Sequence, residues 1–235
     1  MKLRHLMASV SLGLACTAVA AAEFHTLAPG SGQLLINSTS GFNGVTVTGY
    51  SGSGGQFSGF FDTTNPAATP DGFLRFFCVE ITQSAVVPGP ATYNLATTSN
   101  DNLRKLYDIA YPNRAAGDFW NAGAQTNFGV FSGDDDTAFQ LAVWEITQDT
   151  GLNLSAGAFT GTASPSALKT KAQGWLDAVA AYSGTGYQNW TLYGLTDSRQ
   201  PDYVTATCRS VPEPGVLGLL AAGFVGLFGA MRRRR

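Results

Sequence analysis

Histidine is nearly absent from this chain of 235 residues, which contains only His5 and His25. Ser-His-Asp and Cys-His catalytic sets need an imidazole, and so do many zinc sites. Both histidines lie close to the N-terminus, so neither is well placed to serve a site in the body of the protein. The sequence therefore argues against a hydrolase, and it predicts no metal site and no cofactor.

Lysine and arginine are scarce between the two ends of the chain. From Glu23 to Pro214 there are eight basic and sixteen acidic residues, so the whole-chain charge of −2 conceals an acidic body. Nucleic acids and anionic lipid surfaces attract basic proteins. An acidic body argues against both as partners.

The N-terminus has the pattern of a secretory signal peptide. The basic residues Lys2 and Arg4 precede an apolar stretch over 6–19, and small residues run up to Ala22. Signal peptidases accept such small-x-small patterns, so residues 1–22 are predicted to be removed. The protein is therefore expected to be exported.

The C-terminus combines a short motif, an apolar run and a basic cluster. The motif is Val211, Pro212, Glu213 and Pro214, the run covers 215–231, and the cluster is Arg232, Arg233, Arg234 and Arg235. A run of this length is just sufficient to span a bilayer as a helix, and arginines favour the cytoplasmic side. A transmembrane helix at about 215–231 is predicted. An ordinary tail anchor, whose prolines only start the helix, is the alternative.

These three elements, in this order, resemble the PEP-CTERM sorting domain of Gram-negative bacteria. The resemblance implies that residues 211–235 are recognised and removed by an exosortase, a membrane protease. The body would then pass through an inner-membrane intermediate to the cell surface or the extracellular matrix.

The body, residues 23–210, is long enough for one domain and has helical patterns between two regions of strand patterns. Strands are predicted within 33–61 and at 73–81, helices at 101–110, 137–148 and 166–182, and further strands at 190–193 and 203–208. This order predicts an α+β protein, a β-sandwich or barrel with a helical insertion.

Only Cys78 and Cys208 remain once the signal peptide is removed. Two cysteines in an oxidising compartment are ordinarily joined by a disulfide, which is one expectation here. Strand alternation places Cys78 on the face opposite Phe77 and Ile81, so its side chain need not point into the main core.

Gln140 stands in a helical segment whose neighbours are almost all apolar, and a buried carboxamide needs hydrogen-bond partners. One interpretation is a capping box, in which Gln140 reaches back to the backbone of Thr137 at the helix N-terminus. The acids Asp134 to Asp136 lack the ligand spacing of a calcium loop. The positive end of the following helix explains them better, although calcium binding stays open.

The segments Phe77-Cys78-Val79-Glu80 and Phe139-Gln140-Leu141-Ala142-Val143-Trp144-Glu145 resemble the two motifs of bacterial thioester domains. The resemblance spans roughly 33–208. It implies that the Cys78 thiol condenses with the Gln140 carboxamide, which releases ammonia and leaves an internal thioester. An amine on another molecule would then displace the sulfur and leave a permanent amide. Each copy would react once, so the protein is not expected to be an enzyme.

The neighbouring residues suit supporting roles in this chemistry. Phe76, Phe77 and Trp144 are expected to shield the thioester from water. Glu80 and Glu145 are expected either to accept protons or only to flank the motifs. The helix N-terminus near Thr137 is expected to stabilise charge on the carbonyl oxygen of the glutamine.

The sequence leaves two functions open. The first is a thioester-containing adhesion protein of the cell surface or matrix that attaches covalently to an amine-bearing partner. The alternative is a non-enzymatic structural or carbohydrate-binding matrix protein with a Cys78–Cys208 disulfide, in which aromatics such as Trp120, Tyr187 and Trp190 stack on sugars. The sequence identifies neither the target nor the oligomeric state.

Overall fold

The computed structural model describes residues 29–63, 72–85, 89–111, 120–121 and 133–208. The predicted signal peptide and the predicted C-terminal helix lie outside these ranges and remain predictions. None of the helices within the ranges combines the length and the apolar character needed to cross a membrane.

Eight strands and three α-helices follow one another along the described residues. The strands are β1 (Gly30–Val47), β2 (Tyr50–Asp62), β3 (Gly72–Cys78), β4 (Gly89–Thr98), β5 (Trp120–Asn121), β6 (Gly161–Ser164), β7 (Trp190–Thr196) and β8 (Tyr203–Cys208). The helices are α1 (Asp101–Ala110), α2 (Gly133–Gln148) and α3 (Ala167–Ala180), with a short 3-10 helix at Gly186–Asn189. The three α-helices all fall between β4 and β7, as the predicted helical insertion requires.

Six of the strands close into an antiparallel barrel. Neighbours follow the order β2, β1, β4, β7, β8 and β3, and β3 pairs with β2 to complete the circle. Outside this ring, β6 adds to β1 and β5 adds to β3. Of the two predicted arrangements, the structure is therefore the barrel, and three helices accompany it.

Strand β3 is buried on both faces. Phe76 packs against Tyr203 of β8, with ring centroids 4.8 Å apart, and Phe77 packs against Phe139 of α2 at 4.5 Å. Cys78 ends the strand three residues before the predicted end, is 6% exposed and belongs to the core. The prediction that Cys78 need not face the core was wrong, because Phe76, on the same face of the strand, packs against Phe57 and Tyr203 inside the barrel.

Helix α2 begins earlier than its sequence pattern predicts. Its first residue is Gly133 rather than Thr137, so Asp134 to Asp136 lie in its first turn. Carboxylates in the first turn are stabilised by the positive end of the helix dipole. By contrast, α1 has the predicted bounds, and the side chain of Asn100 caps its N-terminus.

An aromatic cluster around Phe139 fixes α2 to the other helices. The Phe139 ring is 1% exposed, and its centroid lies 5.0 Å from that of Tyr107, 5.1 Å from that of Tyr111 and 6.1 Å from that of Trp175. Tyr107 belongs to α1, Tyr111 follows it directly, and Trp175 belongs to α3. Helix α2 also contacts β1, β2 and β3, so the cluster holds it in place against the barrel.

Candidate functional site

The Gln140 side chain is paired with the backbone of Cys78. The Cys78 N–H donates to Gln140 Oε1 at 2.9 Å, and Gln140 Nε2 donates to the Cys78 carbonyl at 2.7 Å. The two residues are 62 positions apart in the chain, and Gln140 is fully buried. These bonds satisfy the buried carboxamide and hold it against the residue that carries the thiol.

The capping-box interpretation of Gln140 was therefore wrong. Thr137 lies inside α2, one turn after Gly133, and both polar atoms of the Gln140 side chain bond to Cys78. The expectation that the helix N-terminus stabilises charge on the Gln140 carbonyl oxygen fails for the same reason, because the dipole effect is confined to the first turn. The N–H of Cys78 occupies the donor position instead.

The Cys78 sulfur is buried and protonated at neutral pH. Burial is the main cause that raises the pKa of the Cys78 thiol to about 12. Sγ donates to the backbone carbonyl of Glu80 at 2.7 Å. A thiolate is the reactive form of cysteine, so this thiol needs a proton acceptor before it can attack a carbonyl.

A cavity of about 410 Å³ opens beside Cys78 and Gln140. Its aromatic lining residues are Phe42, Tyr50, Phe57 and Trp144. Among the described residues around it, Glu80 supplies a carboxylate, and lysine and arginine are absent. Pockets for small ligands measure about 300–1,000 Å³, so a small amine has room to reach the pair.

Three side chains of α2, spaced by four residues, face the end of β3. Gln140 binds Cys78, Trp144 lies one turn further along and lines the cavity, and Gln148 donates from Nε2 to the Val79 carbonyl at 2.7 Å. Residues i and i+4 share one face of a helix. The two glutamines therefore hold consecutive residues of the chain against α2.

Of the two predicted acidic residues, only Glu80 lies at the pair. Glu80 lines the cavity, and its Oε2 accepts from the backbone N–H of Asp202 at 3.1 Å. Glu145 is not among the described residues that line the cavity. Its Oε1 accepts from the backbone N–H of Asn153 at 2.7 Å, and burial raises the pKa of its carboxyl group. Glu145 thus anchors the segment after α2, while Phe77 packs against Phe139 of the aromatic cluster.

Thr137 ties α2 to the barrel beside the site. Its hydroxyl donates to the Gly54 carbonyl at 2.8 Å, is also close to the Gly41 carbonyl, and accepts from the backbone N–H of Asn43 at 3.2 Å. The pairing of β1 with β2 shifts register between Ser40 and Asn43. The hydroxyl therefore satisfies backbone groups at a point where the strand ladder is irregular.

Replacing Thr137 with valine keeps the branched shape of the side chain and removes this hydroxyl. We expect the free energy of unfolding to fall by about 1–3 kcal/mol, because the buried Gly54 carbonyl and the Asn43 N–H lose a partner. Urea unfolding followed by circular dichroism measures the loss.

Thr147→Val is the matched control, since it removes a hydroxyl from the same helix. Thr147 donates to the Val143 carbonyl one turn earlier, within α2 itself. We expect this change to alter the free energy of unfolding by less than about 0.5 kcal/mol. Equal losses for the two variants would contradict the role assigned to Thr137.

The register of the barrel keeps Cys78 and Cys208 apart. Cys78 lies opposite Tyr203 in the pairing of β3 with β8, and Cys208 lies five residues further along β8, opposite Trp190 of β7. Five residues of a strand span about 16 Å, whereas the Cα atoms of a disulfide are less than about 7 Å apart. The prediction of a Cys78–Cys208 disulfide was therefore wrong.

Trp190, one of the aromatics expected to stack on sugars, is a core residue. It is 3% exposed, and its Nε1 donates to Asp108 Oδ1 at 3.2 Å. Tyr187 is partly exposed and has the Lys105 ammonium 5.8 Å from its ring centroid, and the side chain of Trp120 lies outside the described residues. The described rings of this set therefore provide no shared face for a sugar.

The three acids at the start of α2 have separate environments. Asp134 accepts from Asn43 Nδ2 at 3.3 Å, Asp135 pairs with Lys171, and Asp136 is buried, which raises the pKa of its carboxyl group to about 6. Within the part of the chain that the structure describes, no three Asp, Glu, His or Cys side chains are grouped to hold a metal ion. The calcium hypothesis gains no ligand set from these residues.

Two contributors to the site were not predicted from the sequence. Gln148 had a usable signal, because it follows Gln140 and Trp144 at the same spacing of four along one helix. Asp202 had none, since it supports Glu80 through its backbone N–H, and any residue type would supply that donor.

Comparison with known proteins gives two similarities. Residues 210–235 match the family model of the PEP-CTERM protein-sorting motif. The structure is similar to the N-terminal thioester domain of a surface protein from Clostridium perfringens, at 16% sequence identity and a TM-score of 0.38, over 74% of this chain and 96% of that one. No curated protein matches the sequence significantly.

The family match coincides with the motif, the apolar run and the arginine cluster of the C-terminus, and it confirms the prediction of a sorting signal there. This motif implies processing by an exosortase and an exported protein that passes through the membrane. The chain therefore carries a PEP-CTERM sorting signal at residues 210–235.

Proposed function

We propose that this exported protein forms an internal thioester between Cys78 and Gln140 and uses it to attach covalently to an amine-bearing partner at the cell surface or in the extracellular matrix. The observation that carries the proposal is the pairing of the Gln140 carboxamide with the backbone of Cys78 beside an open cavity. The backbone groups that bind this glutamine belong to Cys78, the residue that carries the thiol.

Thioester formation needs a donor for the charge that develops on the glutamine oxygen. When Cys78 Sγ attacks Gln140 Cδ, that charge falls on Oε1, which already accepts from the Cys78 N–H at 2.9 Å. Effective oxyanion donors lie about 2.7–3.1 Å from the oxygen. The C–N bond then breaks, Nε2 leaves as ammonia with the proton of the thiol, and the Cδ–Sγ bond remains.

The proton of the thiol has to move during this step. Because the pKa of Cys78 is about 12, the sulfur does not reach the reactive thiolate form without a proton acceptor. The Glu80 carboxylate lines the same cavity and is oriented by Asp202. We assign Glu80 the role of passing this proton toward the departing nitrogen.

Attachment follows the same path in reverse with another nitrogen. The lone pair of an unprotonated amine attacks Gln140 Cδ, an amide bond forms, the Cδ–Sγ bond breaks, and the proton of the amine ends on the Cys78 sulfur. The product is a substituted amide that joins the partner to Gln140, and each copy has one such glutamine, so each copy reacts once. Once an exosortase has removed the C-terminal signal, such a bond would keep the protein attached outside the cell.

The intact mass of the purified protein under non-reducing conditions tests this proposal. The wild type is expected to be lighter than its sequence by one ammonia molecule, and methylamine is expected to add to Gln140, as peptide sequencing would locate. Cys78→Ala should have its full mass and take up no methylamine, because the thiol is the nucleophile.

Cys208→Ala is the matched control, since it removes the other cysteine of the body and should leave the mass deficit unchanged. A wild-type protein that carries its full mass would rule out the thioester and favour a structural matrix protein. A deficit of two hydrogens that disappears in Cys208→Ala would instead indicate a disulfide, against the register of the barrel.

A further inference from the structure

Trp144 is a buried residue whose indole N–H has no hydrogen-bond partner of normal geometry within the described structure. Its side chain is only 4% exposed. Tryptophan N–H groups usually find a partner when they are buried, and an unused donor is costly. An orphan donor in the wall of a reaction cavity therefore calls for an explanation in the chemistry of the cavity.

The indole of Trp144 is held in a fixed position beside the pair. It lies one helical turn after Gln140 and lines the cavity together with Cys78. Gly54 of β2 fits tightly against it, since a Cβ at that position would approach the indole ring to 3.1 Å. Tyr50 packs edge-on against the same ring, at 6.1 Å between centroids. The side chain therefore has little freedom to turn its N–H elsewhere.

We propose that the Trp144 indole N–H is the donor that stabilises negative charge on the Cys78 sulfur, both when the thiol attacks Gln140 and when an amine expels it from the thioester. This role rests on the proposed function and deepens it. An interaction of the Trp144 side chain already lowers the pKa of Cys78, against the larger opposite effect of burial. A buried thiolate is otherwise a poor leaving group, which protects the bond from water, so its expulsion depends on this donor.

The variant that tests the role is Trp144→Phe, which keeps an aromatic side chain and removes the N–H. Aminolysis of the thioester by methylamine, followed by intact mass, is expected to be about 10- to 100-fold slower than in the wild type, the loss typical of one hydrogen bond to a charged group. If Trp144 only shielded the bond, the smaller ring would admit water and amine more easily, and both hydrolysis and aminolysis of the thioester would be faster. Trp175→Phe is the matched control, because Trp175 lies on α3 outside the cavity lining, and it should react at the wild-type rate.

A second measurement does not depend on the thioester. The rate at which iodoacetamide alkylates Cys78 at a fixed, mildly alkaline pH reports the thiolate fraction, and peptide mass spectrometry assigns it to this residue. The alkylation rate is measured on the protein after methylamine has opened its thioester. If no thioester forms, the rate is measured on the protein as purified. Trp144→Phe should lower this rate about tenfold or more, because the thiolate loses its donor.

The two proposals fail in different ways. A wild type with its full mass overturns the thioester, and the alkylation rate still tests the donor. A wild type with the mass deficit, together with unchanged aminolysis and alkylation rates in Trp144→Phe, overturns the role of the indole and leaves the thioester standing.

Discussion

Replacing Gln140 with glutamate is expected to abolish amine incorporation and to lower the free energy of unfolding at neutral pH by about 3 kcal/mol, the scale set by a buried carboxyl group kept from ionising. A glutamate oxygen can still accept from the Cys78 N–H. Its second oxygen, however, faces the Cys78 carbonyl, to which the native Nε2 donates at 2.7 Å. Two acceptors repel one another unless the carboxyl group is protonated.

The sign of the pH dependence follows from this geometry. Burial and the facing carbonyl raise the pKa of the introduced carboxyl group above its ordinary value of about 4.3. At pH values below about 4.3 the carboxyl group is protonated in both the folded and the unfolded chain. In the folded chain the protonated acid can donate to the Cys78 carbonyl as the amide did. As the pH rises, the unfolded chain ionises first, so stability is lost at up to about 1.4 kcal/mol per pH unit.

The comparison is made by urea unfolding in a Cys78→Ala background, where no thioester contributes to either protein. Gln148→Glu is the matched control, because it makes the same chemical change on the same helix face at an exposed position. Its cost should be less than about 1 kcal/mol and nearly independent of pH. A pH-independent loss in Gln140→Glu would contradict the pairing with the Cys78 backbone.

The fold was predictable where local chemistry decides it. Helix α1 has the bounds that its apolar stripe predicts, and the structure adds a cap from the Asn100 side chain, because a capping side chain and one buried face are sequence-local features. The start of α2 was not predictable in the same way. Thr137 and Gln140 have capping-box spacing, but the preceding acids are themselves favourable in a first turn, so two start signals compete in one segment.

The residues of the candidate site were predictable from the sequence, whereas the contacts between them were not. Cys78 and Gln140 were identified by their motifs, and the structure places them together across 62 residues. The separation of Cys78 from Cys208 depends on which residue of β8 lies opposite β3, and strand register across a barrel is set by long-range pairing. The placement of Glu145 away from the pair likewise follows from its position five residues after Gln140, which turns it to another side of α2.

The Phe139→Ala substitution is expected to lower the free energy of unfolding by about 3–5 kcal/mol, the usual cost of removing a buried aromatic ring. The ring is 1% exposed and contacts residues of β3, α1 and α3 through the aromatic cluster. The cavity left behind would be bounded by rings that cannot collapse into it. Urea unfolding in the Cys78→Ala background measures the loss without any contribution from a thioester.

Phe42→Ala provides the matched control for this change. Phe42 is 37% exposed and pairs with the Phe57 ring at 5.0 Å, so its removal should cost about 1 kcal/mol. The position of Phe139 directly before Gln140 also links stability to chemistry, because the ring that anchors α2 sets where the next side chain points. In the protein that retains Cys78, Phe139→Ala should therefore reduce the fraction of molecules that lack one ammonia. Equal losses of stability in the two variants would show that α2 is held against β3 by contacts other than the aromatic cluster.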